Sequence, residues 1–166
     1  MASFALSIRK DVAAFAGGVE KTMRGTAIVV FGNIIESTPA DEGRARASWI
    51  ATGQKPSTKN TTHEDKSGES TKSKMEQTIL SIKDATVFTL TSNLAYIIPL
   101  ELGGYPDLVK KGTLVKKGNR KKKIAPIYEK RSKSGYSTQA PNGMVRINMN
   151  RAARLLQLQA KRHMPK

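Results

Sequence analysis

The chain has 166 residues, enough for one domain with a hydrophobic core and short for two. It contains no cysteine, which excludes disulfide scaffolds, cysteine-ligated zinc sites and cysteine nucleophiles. Its formal net charge of +16 favours polyanionic partners: nucleic acid, an anionic membrane or an acidic protein surface. The sequence predicts a single domain over residues 1–166.

The N-terminus is apolar at first, but Arg9, Lys10 and Asp11 interrupt it before the hydrophobic region of a signal peptide could form. No stretch reaches the roughly 18 uninterrupted apolar residues that a membrane-spanning helix needs. We therefore expect a soluble protein, made and used in a cytoplasm, without membrane contact.

The first predicted element is a long amphipathic helix. Ser3 is its candidate N-cap, and Thr38-Pro39 ends it because proline lacks an amide proton and disfavours helical geometry in the preceding residue. Gly17-Gly18 and later glycines indicate either close approach of a neighbouring element or a kink. The apolar residues recur every three or four positions and so share one stripe: Phe4, Ile8, Val12, Phe15, Val19, Met23, Ala27, Val30 and Ile34.

The middle of the chain predicts a small sheet interrupted by loops. Residues 47–52 and 86–92 are its two clear strands. Residues 55–74 contain no aliphatic or aromatic side chain, so we expect a solvated loop or a hairpin extension that orders on assembly. Residues 75–82 are ambiguous between helix and strand, and we favour a strand. Residues 95–102 predict a short irregular helix at the sheet edge.

Residues 109–134 form a predicted basic loop, with eleven basic residues against one acid, so most of the net charge is local. It could be a solvated mobile loop, bind a phosphate backbone, or dock on an acidic face of a neighbouring subunit. Tyr128 and Tyr136 are the stacking surfaces nearby, so any nucleic acid would be bound without sequence preference. The candidate contact residues are Lys110, Lys111, Lys116, Lys117, Arg120, Lys121, Lys122 and Lys123.

The last predicted element is a helix over residues 144–163, with cations in its last turn that suit the negative end of the helix dipole. The expected fold class is therefore α+β. A long N-terminal helix and a C-terminal helix pack on a small antiparallel β-sheet, with extended polar and basic loops.

No residue pattern predicts catalysis. His63 and His163 lack partners at metal-ligand or triad spacing, so we expect both to be exposed. The adjacent acids at 41–42 and 64–65 lie in predicted loops, whereas an acid/base pair needs one raised pKa beside an ordinary one in a cleft. No glycine-rich phosphate loop is present. We expect no enzymatic activity, no cofactor and no bound metal.

Three short motifs occur in order along the chain. The first follows the long helix as Thr-Pro, Asp-x-Gly, a basic residue and Ser-Trp, the second is Asn-x-Ala-Tyr followed by Glu-x-Gly, and the third leads into the last helix. Their residues are Thr38, Pro39, Asp41, Gly43, Arg44, Ser48, Trp49, Ala95, Tyr96, Glu101, Gly103, Pro141, Asn142 and Gly143. This series resembles the neck or tail-completion (putative tail-component) family of long-tailed bacteriophages. That family commonly has Val-Asp-Thr-Gly where residues 40–43 are Ala-Asp-Glu-Gly.

The motif residues also have structural reasons to occur. Pro39 ends the helix, Asp41 can accept hydrogen bonds from turn amides, and Gly43 permits a positive φ. Trp49 is predicted to anchor the core and not to serve as a ligand platform. Tyr96 fits either the core or an interface.

The resemblance implies a subunit of a homo-oligomeric ring, six- or twelve-fold, at the head–tail junction. Its neighbours would be the connector or adaptor on one side and the tail terminator or tail-tube protein on the other. The protein would be part of the virion neck or tail and would occupy the host cytoplasm during assembly. Two alternatives stay open: a tail terminator that caps the tail tube, and a protein that binds nucleic acid, such as genomic DNA, without sequence preference.

Overall fold

The computed structural model describes residues 2–83, 87–104, 114–117, 120–123 and 135–165. Long first and last helices and a small antiparallel sheet give the predicted α+β fold in outline. The described elements are, in chain order, α1 (Ala2–Ser37), α2 (Arg44–Ala47), β1 (Ile50–Thr52), α3 (Glu69–Ser81), β2 (Thr89–Thr91), α4 (Ile97–Leu102), β3 (Leu114–Lys117), β4 (Arg120–Lys123) and α5 (Val145–His163).

Helices α1 and α5 form the main packing unit and run antiparallel. Near the start of α5, Asn148 Nδ2 donates to Ser37 Oγ at the end of α1, over 3.1 Å. At the end of α5, the carbonyl oxygen of His163 lies 2.8 Å from the place where a Cβ on Gly18 would be. Helix α5 therefore covers α1 only from about Gly18 onward. Residues 2–17 extend past it by about 24 Å, at 1.5 Å per helical residue.

Glycines allow this close approach, as predicted. A Cβ on Gly18 would collide with the end of α5, and a Cβ on Gly25 would lie 2.9 Å from Gln159 Oε1. Helix α1 is assigned as one continuous helix through this region, and the Cβ position of Gly17 has nothing within 4 Å. Two neighbouring glycines thus differ: Gly18 packs against α5, and Gly17 faces open space.

The hydrophobic core lies where the second half of α1 meets α3, α4, β1 and the start of α5. Buried apolar surface contributes about 25 cal/mol per Å², so this cluster is the main source of stability. Its buried members are Val30, Ile34, Ile35, Ala45, Trp49, Ala51, Met75, Ile79, Leu94, Ile97, Leu100 and Met144.

Helix α3 replaces the strand that we favoured over residues 75–82, and that prediction is wrong. Met75 and Ile79 are one helical turn apart and both are buried, so the helical spacing in this short run was the correct signal. The guanidinium of Arg24 on α1 donates to the carbonyls of Ile79 and Ile82. Because the last carbonyls of a helix have no partners within it, Arg24 fixes the end of α3 to α1.

The predicted polar loop over residues 55–74 is shorter than expected, because α3 begins at Glu69. The expectation that this segment is entirely solvated is also wrong, since Asp65 and Thr71 are buried. A segment without apolar side chains can still be ordered when its polar groups pair with one another.

The sheet is small. Strands β1 and β2 pair antiparallel, with Ala51 opposite Leu90, and both are shorter than predicted. Ala47, which we assigned to the first strand, is the last residue of α2. Strands β3 and β4 form a separate antiparallel hairpin with Val115 opposite Lys122. Each of the described sheets has two strands.

Helix ends follow the sequence signals in most places. Helix α1 ends at Ser37, as Pro39 predicts. It begins at Ala2, so Ser3 lies inside the first turn and is not the N-cap. Helices α4 and α5 occupy their predicted positions.

Candidate functional site

The first motif forms the corner between α1 and α2. Thr38 Oγ1 donates to the carbonyl of Ile34 at 2.7 Å and accepts a hydrogen bond from Trp49 Nε1 at 2.8 Å. Both side chains are buried, and the indole belongs to the core cluster. The buried Ser48 hydroxyl lies 2.6 Å from Ser92 Oγ, which connects the corner to the end of β2. Trp49 therefore anchors the core, as predicted.

Gly43 is the residue at which the chain turns into α2. Its φ of 92° is in the left-handed region, as predicted, and a Cβ here would lie only 2.4 Å from the backbone nitrogen of Lys66. Its carbonyl accepts the amides of Ala47 and Asp65 at 3.0 and 3.3 Å. Glycine is required at this position both for backbone conformation and for backbone packing.

The carboxylate that caps a turn is Asp65 and not Asp41. Asp65 accepts hydrogen bonds from the amides of Gly68 and Thr71, both at 2.8 Å, and from the hydroxyls of Thr71 and Ser67 at 2.7 and 3.1 Å. Burial alone would raise the pKa of Asp65, but these hydrogen bonds outweigh it and lower the pKa below 3.8. Asp41 is exposed, and within the described ranges its carboxylate has no hydrogen-bond partner.

Arg46 donates to three backbone carbonyls in two segments that meet at this corner. Its Nε donates to the carbonyl of Thr38 at 2.8 Å, Nη1 to that of Lys66 at 2.7 Å, and Nη2 to that of Glu36 at 3.0 Å. The resemblance singled out Arg44, which is exposed. The planar guanidinium of Arg46 thus satisfies carbonyls at the end of α1 and in the loop before α3.

The second and third motifs meet at the start of α5. The Glu101 carboxylate accepts the amides of Met144, Val145 and Arg146 at 2.7, 2.8 and 2.9 Å. These are amides that the first turn of a helix cannot pair internally. Burial raises the pKa of Glu101, but the hydrogen bonds from the three amides and the charge of Arg146 outweigh burial. The pKa therefore lies below its ordinary value of 4.5. Glu101 is therefore the cap of α5, supplied by α4.

The remaining motif residues surround this cap. Gly143 has a φ of 77°, and a Cβ on it would lie 2.6 Å from the carbonyl oxygen of Glu101. Gly103 follows α4 with a φ of 76°. Tyr96 packs against the core cluster and is half-buried. Three motif residues are exposed: Ala95, Pro141 and Asn142.

Few side chains in the part of the chain that the structure describes are arranged for catalysis or metal binding. No group of three or more His, Asp or Glu side chains there could hold a metal ion. His63 and His163 are exposed, as predicted. A cavity of about 300 Å³ next to Trp49 has Lys59, Lys74 and His63 in its walls, and the described residues that line it include no carboxyl pair for acid/base catalysis. None of the described helices has the length and apolar character needed to cross a membrane.

The basic segment is described only in part. Lys110 and Lys111 lie outside the described residues, whereas the other six candidate cations lie on β3 and β4. The hairpin register places Lys116 opposite Lys121 and Lys117 opposite Arg120.

The projecting part of α1 carries a row of exposed apolar side chains, which we call the apolar ridge: Phe4, Ile8, Val12 and Phe15. Their exposed fractions are 73%, 46%, 62% and 54%. The predicted apolar stripe is thus buried in the second half of α1 and exposed in the first. No described element covers the ridge, because α5 ends near Gly18.

The second half of α1 borders an apolar groove. This groove has a volume of about 230 Å³, and Thr26 is the one polar residue among the described residues that line it. The Thr26 hydroxyl already donates to the carbonyl of Thr22 at 2.8 Å, so the groove presents no unpaired donor from this side chain. Its walls come from α1, from Phe88 before β2 and from α5: Met23, Thr26, Ala27, Val30, Phe31, Phe88, Met149, Ala152 and Leu156.

No protein-family model, curated protein or solved structure matches this chain. In the structure the three motifs form two adjoining sets of contacts, which are the α1–α2 corner and the α5 cap. We call these two places joints. Sequence reasoning missed Arg24, Arg46 and Asp65, since polar residues that pair with backbone groups leave no periodic pattern.

Proposed function

We propose that this chain is a structural subunit of the neck of a long-tailed bacteriophage, where it forms part of the ring that joins head to tail. The observation that supports this best is the convergence of the three family-like motifs. Glu101 of the second motif caps the helix that the third motif introduces. Gln139, just before the third motif, accepts the amide of Ala40 in the first at 2.9 Å. These contacts support a shared structural role for the three motifs.

The surfaces fit an assembly role. A subunit of a ring needs two different surfaces, one for each neighbour, because ring interfaces are heterologous. The chain offers the apolar ridge and the apolar groove at different places. The activity is adhesive: the ring, six- or twelve-fold, completes the neck between the connector or adaptor and the tail terminator or tail tube, and leaves a passage for DNA.

Deletion of the gene from the phage that carries it tests this role. We expect DNA-filled heads and finished tails that remain separate, as seen by electron microscopy, with joining restored by adding the purified protein. A tail terminator, the neighbouring alternative, would instead leave tail tubes without a defined end. Normal particles without the protein would contradict both roles.

A second candidate function, binding of genomic DNA without sequence preference, is favoured by the number of basic residues on strands β3 and β4. Replacing Lys116, Lys117, Arg120 and Lys121 by glutamine should weaken DNA binding. It should also flatten the salt dependence, in which each lost phosphate contact counts for about 0.9 in the logarithmic slope.

A variant with the same charge change on another surface is the control for this test. It replaces four exposed cations of α5 by glutamine: Arg151, Arg154, Lys161 and Arg162. Equal loss of DNA affinity in both variants would show that net charge, and not the hairpin, governs binding. Head–tail joining that survives the hairpin substitutions would leave the assembly role as the primary one.

A further inference from the structure

The apolar ridge is an exposed apolar patch of the size that often marks an interaction site on a protein surface. Aromatic side chains bury about 150–250 Å² each, so the exposed fractions of Phe4 and Phe15 alone amount to about 200–300 Å². Ile8 and Val12, on the same stripe of α1, add to this area. Contiguous apolar patches on monomers rarely exceed a few hundred Å², and stable interfaces bury roughly 800 Å² per partner. The ridge alone is thus a substantial part of an interface.

The apolar groove has the size and chemistry to accept one aromatic side chain of the ridge. An apolar cavity of roughly 150 Å³ holds a benzene molecule, so a groove of about 230 Å³ can take a phenyl ring. None of the described lining residues is charged, so docking an apolar side chain there desolvates no charge among them. Met149 and Leu156 on its α5 wall are 53% and 45% exposed, so they have apolar surface left to bury.

A chain cannot fill its own groove with its own ridge. Both surfaces lie on the same continuous helix, with the ridge ending at Phe15 and the groove beginning at Met23. Eight residues of straight helix separate these positions by about 12 Å, and the ridge could fold back only if α1 broke. A ridge that enters this groove therefore belongs to another molecule, and a second copy of this chain always carries one.

We propose that the apolar ridge of one subunit docks in the apolar groove of the next. This inference rests on the proposed function, since it supplies the contact between neighbours in the ring. Because ridge and groove are different surfaces, the contact is head-to-tail: every copy gives a ridge and receives one. In a closed ring all ridges and all grooves are covered, which accounts for both apolar surfaces at once.

Paired charge substitutions test the contact. One variant carries Phe4→Asp and Phe15→Asp on the ridge, and the other carries Met149→Asp and Leu156→Asp on the groove. All four side chains are exposed in the single chain, so both variants should keep the far-ultraviolet circular dichroism of the wild type. In sedimentation velocity the wild type should self-associate with increasing concentration, and each variant alone should remain monomeric.

Mixing the two variants gives the decisive result. The groove variant still has a ridge and the ridge variant still has a groove, so an equimolar mixture should form dimers and nothing larger. The control carries Leu6→Asp and Leu158→Asp, which lie on the opposite faces of α1 and α5, are 63% and 46% exposed, and should leave association unchanged.

Three outcomes would overturn the inference: a wild type that remains monomeric, a groove variant that associates like the wild type, or a mixture without dimers. Ridge-to-ridge pairing would produce the second. These outcomes are distinct from a failure of the proposed function, which is read from particles. Heads and tails that join without the protein would contradict the neck role and leave the docking result intact.

Discussion

The two halves of α1 have the same apolar periodicity and opposite surroundings. In the second half, Val30 and Ile34 are 4% and 3% exposed, whereas Phe4 and Val12 in the first half are 73% and 62% exposed. The difference lies in what packs against the helix: α5 and α3 cover the second half, and α5 ends near Gly18. Periodicity therefore identifies residues that share a face of a helix. It does not say whether the partner of that face belongs to the same chain.

We expect the largest effect on stability from a substitution at the α1–α2 corner, beside the buried half of α1. Trp49→Ala should lower the free energy of unfolding by about 3–5 kcal/mol, because it removes a buried aromatic side chain and leaves a cavity. Urea denaturation followed by circular dichroism measures this. Phe15→Ala, an aromatic truncation in the projecting half, should change stability by no more than about 0.5 kcal/mol. Similar losses in both variants would show that the two halves are packed alike.

Removal of the Asp65 carboxylate should have the next largest effect. Asp65→Ala leaves the Gly68 and Thr71 amides without their acceptor in a buried place and should cost about 2–3 kcal/mol. Glu64→Ala removes the same charge from an exposed neighbour and is the matched control, with an expected change below about 0.5 kcal/mol. If both substitutions cost the same in urea denaturation, the capping role of Asp65 is refuted.

Acid should lower the stability of the fold, because the pKa of the Glu101 carboxyl is lowered in the folded protein. The pKa of Glu101 is lower in the folded protein than its ordinary 4.5, so its contribution is complete above that pH and is lost as pH falls through the folded value. Glu101→Gln should cost about 1–2 kcal/mol at pH 7 and reduce the dependence of stability on pH below 4.5.

The exposed Glu76 supplies the comparison for this acid effect. Thermal denaturation of Glu76→Gln between pH 7 and pH 3 should follow the wild-type profile. A Glu101→Gln profile as steep as that of the wild type would contradict the assignment of Glu101 as an ionised cap.

The smallest predicted effect concerns Gly17 and Gly18, between which the exposed half of α1 meets the half that α5 covers. Gly17→Ala should raise the free energy of unfolding by about 0.5–1 kcal/mol, since alanine favours helix and its Cβ meets nothing within 4 Å. Gly18→Ala gains the same propensity but should destabilise the protein, because its Cβ would lie 2.8 Å from the His163 carbonyl oxygen. Melting temperatures that change in opposite directions would confirm that the boundary lies between Gly17 and Gly18. Equal changes would contradict that position.

Features set by local physics could be predicted from the sequence. Pro39 ends α1, Gly43 adopts positive φ, and Trp49 anchors the core, because these outcomes follow from backbone restriction and side-chain size. The long helices followed from periodicity. The strand favoured over residues 75–82 was wrong, since a short apolar run does not separate helix from strand until its neighbours are known.

The polar joints could not be predicted. Asp65 and Arg46 pair with backbone groups that are distant in sequence, and such pairings depend on the folded path of the chain. Polar segments show no periodic signal, so residues 55–74 suggested a solvated loop although Asp65 is buried there. The motif residues indicated where segments of the chain contact one another. Some contacts are made by a nearby side chain instead, as by Arg46, which lies two positions after Arg44.

The Glu101 cap has a consequence for how the chain can be altered. It joins Glu101 to Met144, which are 43 positions apart, so both ends of the intervening basic segment are held at one joint. The entropy cost of closing a loop grows by only about 0.6 kcal/mol for each doubling of its length. A change in the length of this segment should therefore cost little through loop-closure entropy. The cap would then hold the two ends of an inserted peptide or affinity tag close together.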